Sequence, residues 1–242
     1  MGDFWNEWKG KTGLEKRAID SVGKAREVLL KNVPEEEIVA VYVKGSFVRR
    51  EMNEKSDVDI VAVVKHDKYI GRIRKLQEEK GGTYKPSELL AHSLGEFKDN
   101  ERHFSYSSQK PKPDIFLRYL GNAKLIYGKL VEPKDFTLRS DKEMLESSVN
   151  MFREEFIPLY NERKFGFSQL VKNVFWLVDL EQRIRGKVPP GTWEKLEKSV
   201  GGKNHIIHET LRLRLHPTKD SEIRKKYLEK LSDYLDRLQK KL

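Results

Sequence analysis

The stretch from Lys44 to Val64 constrains the fold more than any other part of this sequence. It places a Gly45-Ser46 turn ahead of two aspartates, Asp57 and Asp59, at the head of an apolar run. Side chains on a strand alternate between its faces, so the two aspartates are expected to point the same way. Paired carboxylates on one face form a hard oxygen site of the kind that suits Mg²⁺.

The turn before the aspartates predicts a phosphate contact. Gly45 has no Cβ to hold a ligand away, so bare backbone N–H groups and the Ser46 hydroxyl can approach a phosphate closely. The whole stretch therefore predicts a site for a metal ion and a nucleotide.

These residues resemble the nucleotidyltransferases of the DNA polymerase β superfamily, especially its small bacterial and archaeal members. The pattern of that family is an apolar strand, Gly-Ser, a short helix, and then Ser-Asp-x-Asp on the next strand. Here residues 39–43 supply the first strand, Gly45-Ser46 the turn, and residues 56–60 the second signature. Arg49 also matches an arginine of the small members, whereas Arg50 departs from the glycine that many relatives carry.

The resemblance implies an enzyme that moves a nucleoside monophosphate from an NTP, ATP being favoured, to an acceptor hydroxyl and releases pyrophosphate. It assigns Mg²⁺ binding and catalysis to Asp57 and Asp59. It assigns nucleotide binding to a second set, namely Gly45, Ser46, Arg49 and Ser56.

Polymerase-like members of the family also need a third carboxylate on a neighbouring strand, which implies a two-metal site. Asp114 opens a β-prone run after Pro113 and is the favoured candidate for this catalytic and metal-binding role. Weaker candidates stand in a more polar context, namely Glu96, Asp99 and Glu101. Residues 120–128 resemble the short helix and Tyr-Gly ending that often closes the catalytic domain of the family.

The amino-acid composition limits the kinds of binding partner and of cysteine chemistry that the chain can have. Lys and Arg total 48 against 38 Asp and Glu, a formal charge of +10, so partners are expected to be anionic. An NTP is itself an anionic partner, so a nucleic-acid partner is possible but is not needed to explain the positive charge. The chain has no cysteine, which excludes disulfides, thiolate nucleophiles and cysteine zinc sites. No apolar run approaches the ~20 residues of a membrane span, and we expect a cytoplasmic protein without a membrane partner.

Two capping boxes mark the domain organisation. Thr12–Glu15 begins an amphipathic helix, and Ser140–Glu143 begins a region that is helical in pattern to the end. We predict an α+β protein with two domains, a mixed-sheet nucleotidyltransferase domain resembling the polymerase β palm over residues 1–138, and an all-helical domain over residues 139–242. The second resembles the helical domain of kanamycin-type aminoglycoside nucleotidyltransferases.

Several alternatives stay open at this stage. The acceptor could be a small molecule or a protein hydroxyl, as in antitoxin members of the superfamily, or the chain could be a non-catalytic nucleic-acid-binding module. Residues 81–111 show little periodicity and could form a loop over the site or a plain surface insertion. His205 and His208, three residues apart, are interpreted as a packed or hydrogen-bonded pair in preference to a zinc site.

Overall fold

The computed structural model describes residues 3–103, 111–187 and 192–242. It divides into two compact units, Met1–Leu138 and Arg139–Leu242. The first unit contains the sheet and the second is helical, so the predicted α+β fold class is confirmed.

The first unit is built on a mixed four-stranded sheet. Its strands are β1 (Ile38–Lys44), β2 (Val58–Val64), β3 (Ser87–Ser93) and β4 (Lys124–Gly128). Their order in the sheet is β3-β2-β1-β4. Strand β1 runs antiparallel to both β2 and β4, whereas β2 and β3 are parallel.

One face of the sheet packs against two helices, α1 (Gly13–Asn32) and α2 (Lys68–Lys80). The predicted capping box is present, because the Thr12 side chain accepts a hydrogen bond from the Glu15 N–H and the Glu15 carboxylate accepts one from the Thr12 N–H. The apolar stripe of α1 is buried as its helical spacing predicts, at Ala18, Val22, Ala25 and Leu29.

The opposite face carries a second core around Ala40, Tyr42 and Val63. Two short helices contribute to it, α3 (Leu94–Asp99) and α4 (Asp114–Arg118). Since side chains alternate along a strand, residues an even number of positions from this core lie on the same face. Lys44, two positions after Tyr42 on β1, and the predicted metal ligand Asp59, four positions before Val63 on β2, are such residues.

Two of the predicted elements are wrong. Residues 81–103 contain β3 and α3, so this part is not the irregular loop that its weak periodicity suggested, and residues 104–110 of the same prediction lie outside the described residues. Residues 114–118 form α4 and not a strand, because Pro113 already has helical dihedrals and proline and an acidic residue both favour the first turn of a helix. Residues 120–128 form a short 3₁₀ turn followed by β4, so Tyr127 and Gly128 end a strand.

The second unit consists of helices in the residues that the structure describes. Its capping box at Ser140 is present as predicted, and the helix over Phe167–Ile184 is the most buried. Just before Pro158, which has no N–H to donate, the backbone changes to π-helical bonding over Phe152–Phe156. The helices are α5 (Asp141–Met151), α6 (Ile157–Asn161), α7 (Phe167–Ile184), α8 (Trp193–Ser199), α9 (Ile206–Leu215) and α10 (Ser221–Gln239).

The two histidines near the start of α9 are hydrogen-bonded to acidic side chains. His205 Nε2 lies 3.1 Å from a Glu181 carboxylate oxygen, and His208 Nδ1 lies 2.5 Å from one of Glu197. His205 also caps α9, because its Nδ1 accepts a hydrogen bond from the Ile207 N–H. Within the described residues, every helix is too short or too polar to cross a membrane.

Candidate active site

Three carboxylates meet at one end of the sheet, those of Asp57, Asp59 and Glu88. One oxygen from each lies within 4.8 Å of the other two, which is a spacing that a single cation can bridge. Asp57 and Glu88 are exposed and Asp59 is partly buried, so the group is open to ligands. We call these three residues the acidic group.

The fold brings Glu88 to the aspartates through the parallel pairing of β2 and β3. In this register Asp59 pairs with Glu88. Alternation places the Leu89 side chain in the α1/α2 core and leaves Glu88 on the other face with Asp59. The two predicted aspartates therefore lie together, and the strand next to them supplies the third acid.

Glu88 is absent from the sequence-predicted site. Its strand, Ser87–Ser93, has no β-branched residue and follows Pro86, so its residue types do not favour a strand. The missed signal is the order of elements, because a buried strand followed by a helix often returns to a parallel neighbouring strand. The short apolar run after Pro86 is the nearest segment that could form it.

The electrostatics of the acidic group favour a cation. Partial burial raises the pKa of the Glu88 carboxyl, and the charges of Asp57 and Asp59 raise it further, whereas Lys85 opposes the effect. Lys44 Nζ lies 3.7 Å from an Asp59 oxygen and offsets part of the negative charge. An all-oxygen donor set with unbalanced negative charge fits a hard divalent cation such as Mg²⁺.

A turn formed by residues 45–51, here called the glycine turn, adjoins the acidic group. Gly45 has a φ of +88°, a conformation that favours glycine, and a Cβ at this position would lie 3.5 Å from Asp59 Oδ2. Backbone hydrogen bonds close the turn, from Arg49 N–H to Gly45 O at 3.4 Å and from Glu51 N–H to Ser46 O at 2.8 Å. The turn takes the place of the short helix of the family pattern.

Two other predicted nucleotide-binding residues have local partners. Arg49 Nε donates to a Glu51 carboxylate oxygen at 2.7 Å. Ser56 Oγ accepts a hydrogen bond from the Asn53 N–H at 2.9 Å and so closes the turn before β2. Their roles toward a nucleotide stay predictions.

Asp114 is not a member of the acidic group. It begins α4 and is buried, and its N–H donates to Asn100 Oδ1 at 3.1 Å. Of the weaker candidates, Glu96 is also buried and accepts hydrogen bonds from Arg102 at 3.0 Å and from the His103 N–H at 3.0 Å. Asp114 therefore lies outside the acidic group, and its role as a third catalytic carboxylate stays a prediction.

A family comparison identifies the part of the chain that carries this site. Residues 22–115 match the family model of the nucleotidyltransferase domain. This part, less than half of the chain, is similar to nucleotidyltransferase domains. The matched range includes the glycine turn and all three members of the acidic group. The predicted enzyme class, a nucleotidyltransferase, is therefore confirmed.

Solved structures extend the likeness beyond that domain. The crystal structure of spectinomycin adenyltransferase AAD(9) from Enterococcus faecialis with ATP and spectinomycin matches with a TM-score of 0.55 at 16% identity. The match covers 91% of this chain and 99% of that one, so it shows a shared fold that includes the helical unit. No curated protein matches the sequence.

A second structural match is weaker. A crystal structure of a toxin-antitoxin with AMP-PNP is 14% identical, covers 57% of this chain and 93% of that one, and has a TM-score of 0.29. At this score the match is too weak to inform the function of the chain.

Proposed function

We propose that this nucleotidyltransferase transfers the nucleoside monophosphate of an NTP, with ATP favoured, to the hydroxyl of a small-molecule acceptor in a Mg²⁺-dependent reaction. The observation that carries the proposal is the acidic group beside the glycine turn. Three carboxylates within 4.8 Å have little structural use at an exposed strand end, because their mutual repulsion opposes folding. They become useful when a cation and a phosphate chain are bound there.

In this proposal the chain supplies two adjoining binding surfaces. Asp57, Asp59 and Glu88 would hold Mg²⁺, and the glycine turn would hold the β- and γ-phosphates through its backbone N–H groups. When bound, Mg²⁺ supplies positive charge to the triphosphate and lowers the pKa of a coordinated hydroxyl. Lys44, which already neighbours Asp59, adds a positive charge next to the phosphates.

The proposed reaction is an in-line displacement at the α-phosphorus. The acceptor oxygen forms a bond to this phosphorus while the bond to the bridging oxygen of the β-phosphate breaks, and pyrophosphate leaves. The hydroxyl proton passes to a carboxylate of the acidic group. Glu88 is the candidate for this role, because its carboxylate lies within 4.8 Å of those of Asp57 and Asp59 at an exposed end of the sheet.

A small-molecule acceptor is favoured over a protein or nucleic-acid acceptor by the extent of the structural likeness. Spectinomycin adenyltransferase AAD(9) shares the fold over both units, and its structure holds ATP and spectinomycin together. The identity of the acceptor hydroxyl is the part of the proposal that most needs an experiment.

The test is label transfer from ATP. The protein is incubated with Mg²⁺ and ATP labelled at the α-phosphate, first with spectinomycin and a panel of small hydroxylated compounds, then with cell extract and with RNA. We expect pyrophosphate release and a labelled small molecule, and neither product in an Asp59→Asn protein. Label on a protein band would select the protein-modifying alternative. Metal-independent NTP binding without turnover under any condition would contradict the proposal.

A further inference from the structure

Arg50 occupies a backbone position that favours glycine. Its φ is +58°, in the left-handed region that a long side chain adopts only at a cost. It lies in the glycine turn, where its N–H donates to Phe47 O at 3.0 Å. An arginine at such a position needs side-chain contacts that offset the backbone strain.

The Arg50 guanidinium makes those contacts with the start of the chain. Nε and Nη2 bind the two carboxylate oxygens of Glu15 at 2.7 and 3.1 Å, a bidentate pair of the stronger kind. Nη1 and Nη2 also donate to the carbonyls of Lys9 and Gly10 at 3.2 and 3.4 Å. The guanidinium lies 5.0 Å from the ring centre of Trp8. Its donors thus bind groups of residues 9–15.

Glu15 connects this arginine to the body of the unit. It is the N3 residue of the α1 capping box, and its Oε2 accepts a hydrogen bond from the Thr12 N–H at 2.7 Å. The Glu15 side chain is buried, and the hydrogen bond from Arg50 lowers its pKa to about 2. One ionised carboxylate therefore caps α1 and holds Arg50 at every working pH.

The side chain of Phe47 provides a second attachment for the same turn. It is fully buried, and its ring centre lies 5.2 Å from that of Trp8, 5.9 Å from Trp5 and 6.0 Å from Phe4. Trp8 contacts both Phe47 and Arg50, so the aromatic cluster and the ion pair form one connected structure. We call the set of Arg50, Glu15, Trp8 and Phe47 the Arg50 network.

We propose that Arg50 is a positioning residue, and that the Arg50 network holds the glycine turn in the shape that receives the triphosphate. This inference rests on the proposed function, since it takes the glycine turn as the NTP site. Arg50 does not itself bind phosphate in this proposal, because its donors are directed to Glu15, Lys9 and Gly10. A preorganised turn raises ligand affinity by removing the ordering cost of binding.

The main test compares three variants with one control. Arg50→Lys keeps the positive charge but loses the bidentate contact with Glu15. Arg50→Gly relieves the backbone strain but removes the side chain that forms the network. Glu15→Gln keeps the capping box but removes the negative charge that Arg50 binds. The control is Arg17→Lys, since Arg17 lies on the same unit and its contact with Glu54, at 3.7 Å, joins two exposed side chains.

The expected result is a change in KM for ATP and not in kcat. Both Arg50 variants should raise this KM by about three- to tenfold, the scale of reordering one or two side chains on binding, with kcat and the acceptor KM little changed. Glu15→Gln should give a smaller rise, and Arg17→Lys none. An unchanged ATP KM in Arg50 variants that melt well above the assay temperature would overturn the proposal.

Hydrogen exchange separates this proposal from the proposed function. Amides of residues 45–51 should exchange faster in ligand-free Arg50→Gly protein than in the Arg17→Lys control. Equal exchange rates in the two proteins would show that the Arg50 network does not hold the glycine turn, whether or not the protein has transferase activity. If the wild-type protein shows no turnover, the proposed function fails. The positioning role is then decided by ATP affinity in calorimetry, and equal affinity for wild type and Arg50→Gly overturns it.

Discussion

Asp59 on β2 and Glu88 on β3 pair directly in the parallel register, so their carboxylates share one face of the sheet beside Asp57. This pairing is what turns a two-aspartate motif into a group of three acids. The metal site that we propose is therefore held by two adjacent strands, which are more rigid supports than loops. The first two predictions follow from this arrangement.

Asp59→Asn should abolish transfer. The amide keeps the shape of the side chain but removes one anionic ligand, so we expect turnover to fall by about 10²-fold or more. Stability should change by no more than about 0.5 kcal/mol, since the loss of repulsion from Asp57 and Glu88 offsets the loss of the Lys44 contact. The measurements are pyrophosphate release and Mg²⁺ or Mn²⁺ binding by calorimetry.

The matched control for this change is Asp20→Asn. Asp20 is an exposed aspartate on α1 and is outside the acidic group. The Asp20→Asn protein should keep wild-type turnover and metal affinity. Wild-type turnover in Asp59→Asn would show that the metal and chemistry lie elsewhere.

Glu88→Gln and Asp114→Asn should behave differently. Glu88→Gln removes the proposed proton acceptor, and we expect a fall in kcat of about 10²-fold or more while ATP still binds. Asp114→Asn alters a buried carboxyl at the start of α4, so we expect a loss of about 1–3 kcal/mol in unfolding free energy and a nearly unchanged kcat. Single-turnover kinetics and urea unfolding on both variants measure the two effects. The opposite assignment, with chemistry lost only in Asp114→Asn, would restore Asp114 as the third acid.

Patterns over a few neighbouring residues predicted part of the fold and part of the site. The capping box at Thr12, the burial of Ala18 and Val22, and the placing of Asp57 with Asp59 all follow from helical or strand periodicity over a few residues. These features are set by residues close together in the chain, so the sequence pattern predicts them.

The third member of the acidic group, Glu88, depends on non-local strand pairing, which the sequence pattern did not reveal. Asp114 follows a proline and precedes Ile115-Phe116-Leu117, a run that fits a strand or a short buried helix equally well. Glu88 lies in a strand with no β-branched residue, and only its pairing with β2 gives it a role. Strand pairing brings Glu88 to the aspartates, and a residue pattern carries little information about such pairing.

Gly45→Ala should weaken ATP binding and destabilise the protein. Its φ of +88° costs an L-residue about 1–2 kcal/mol, and the added Cβ would lie 3.5 Å from Asp59 Oδ2, on the side that faces the acidic group. Gly45→Val adds bulk at the same place and should prevent ATP binding. Calorimetric titration with ATP and Mg²⁺, together with urea unfolding, measures both effects.

Gly23→Ala is the control for these glycine changes. Gly23 lies within α1, and a Cβ added there would meet no atom within 4 Å. Alanine should therefore raise stability by about 0.5–1 kcal/mol and leave ATP binding unchanged. Equal ATP affinity for Gly45→Val and Gly23→Ala would exclude the glycine turn from the nucleotide site.

The last prediction concerns acid stability and Glu15. The hydrogen bond from Arg50 lowers the Glu15 pKa from 4.5 to about 2 in the folded protein, so the folded state holds the ionised carboxylate more strongly than the unfolded chain does. This contribution is fully present above pH 4.5 and is lost as the pH falls toward about 2. The difference in unfolding free energy between wild type and Glu15→Gln should therefore be constant from pH 7 to 5 and shrink below that range. Urea unfolding at several pH values measures it, with Glu54→Gln as the exposed control, for which we expect a small difference throughout. A difference that stays constant down to pH 2 would mean that the Arg50–Glu15 pair does not stabilise the folded state through its charge.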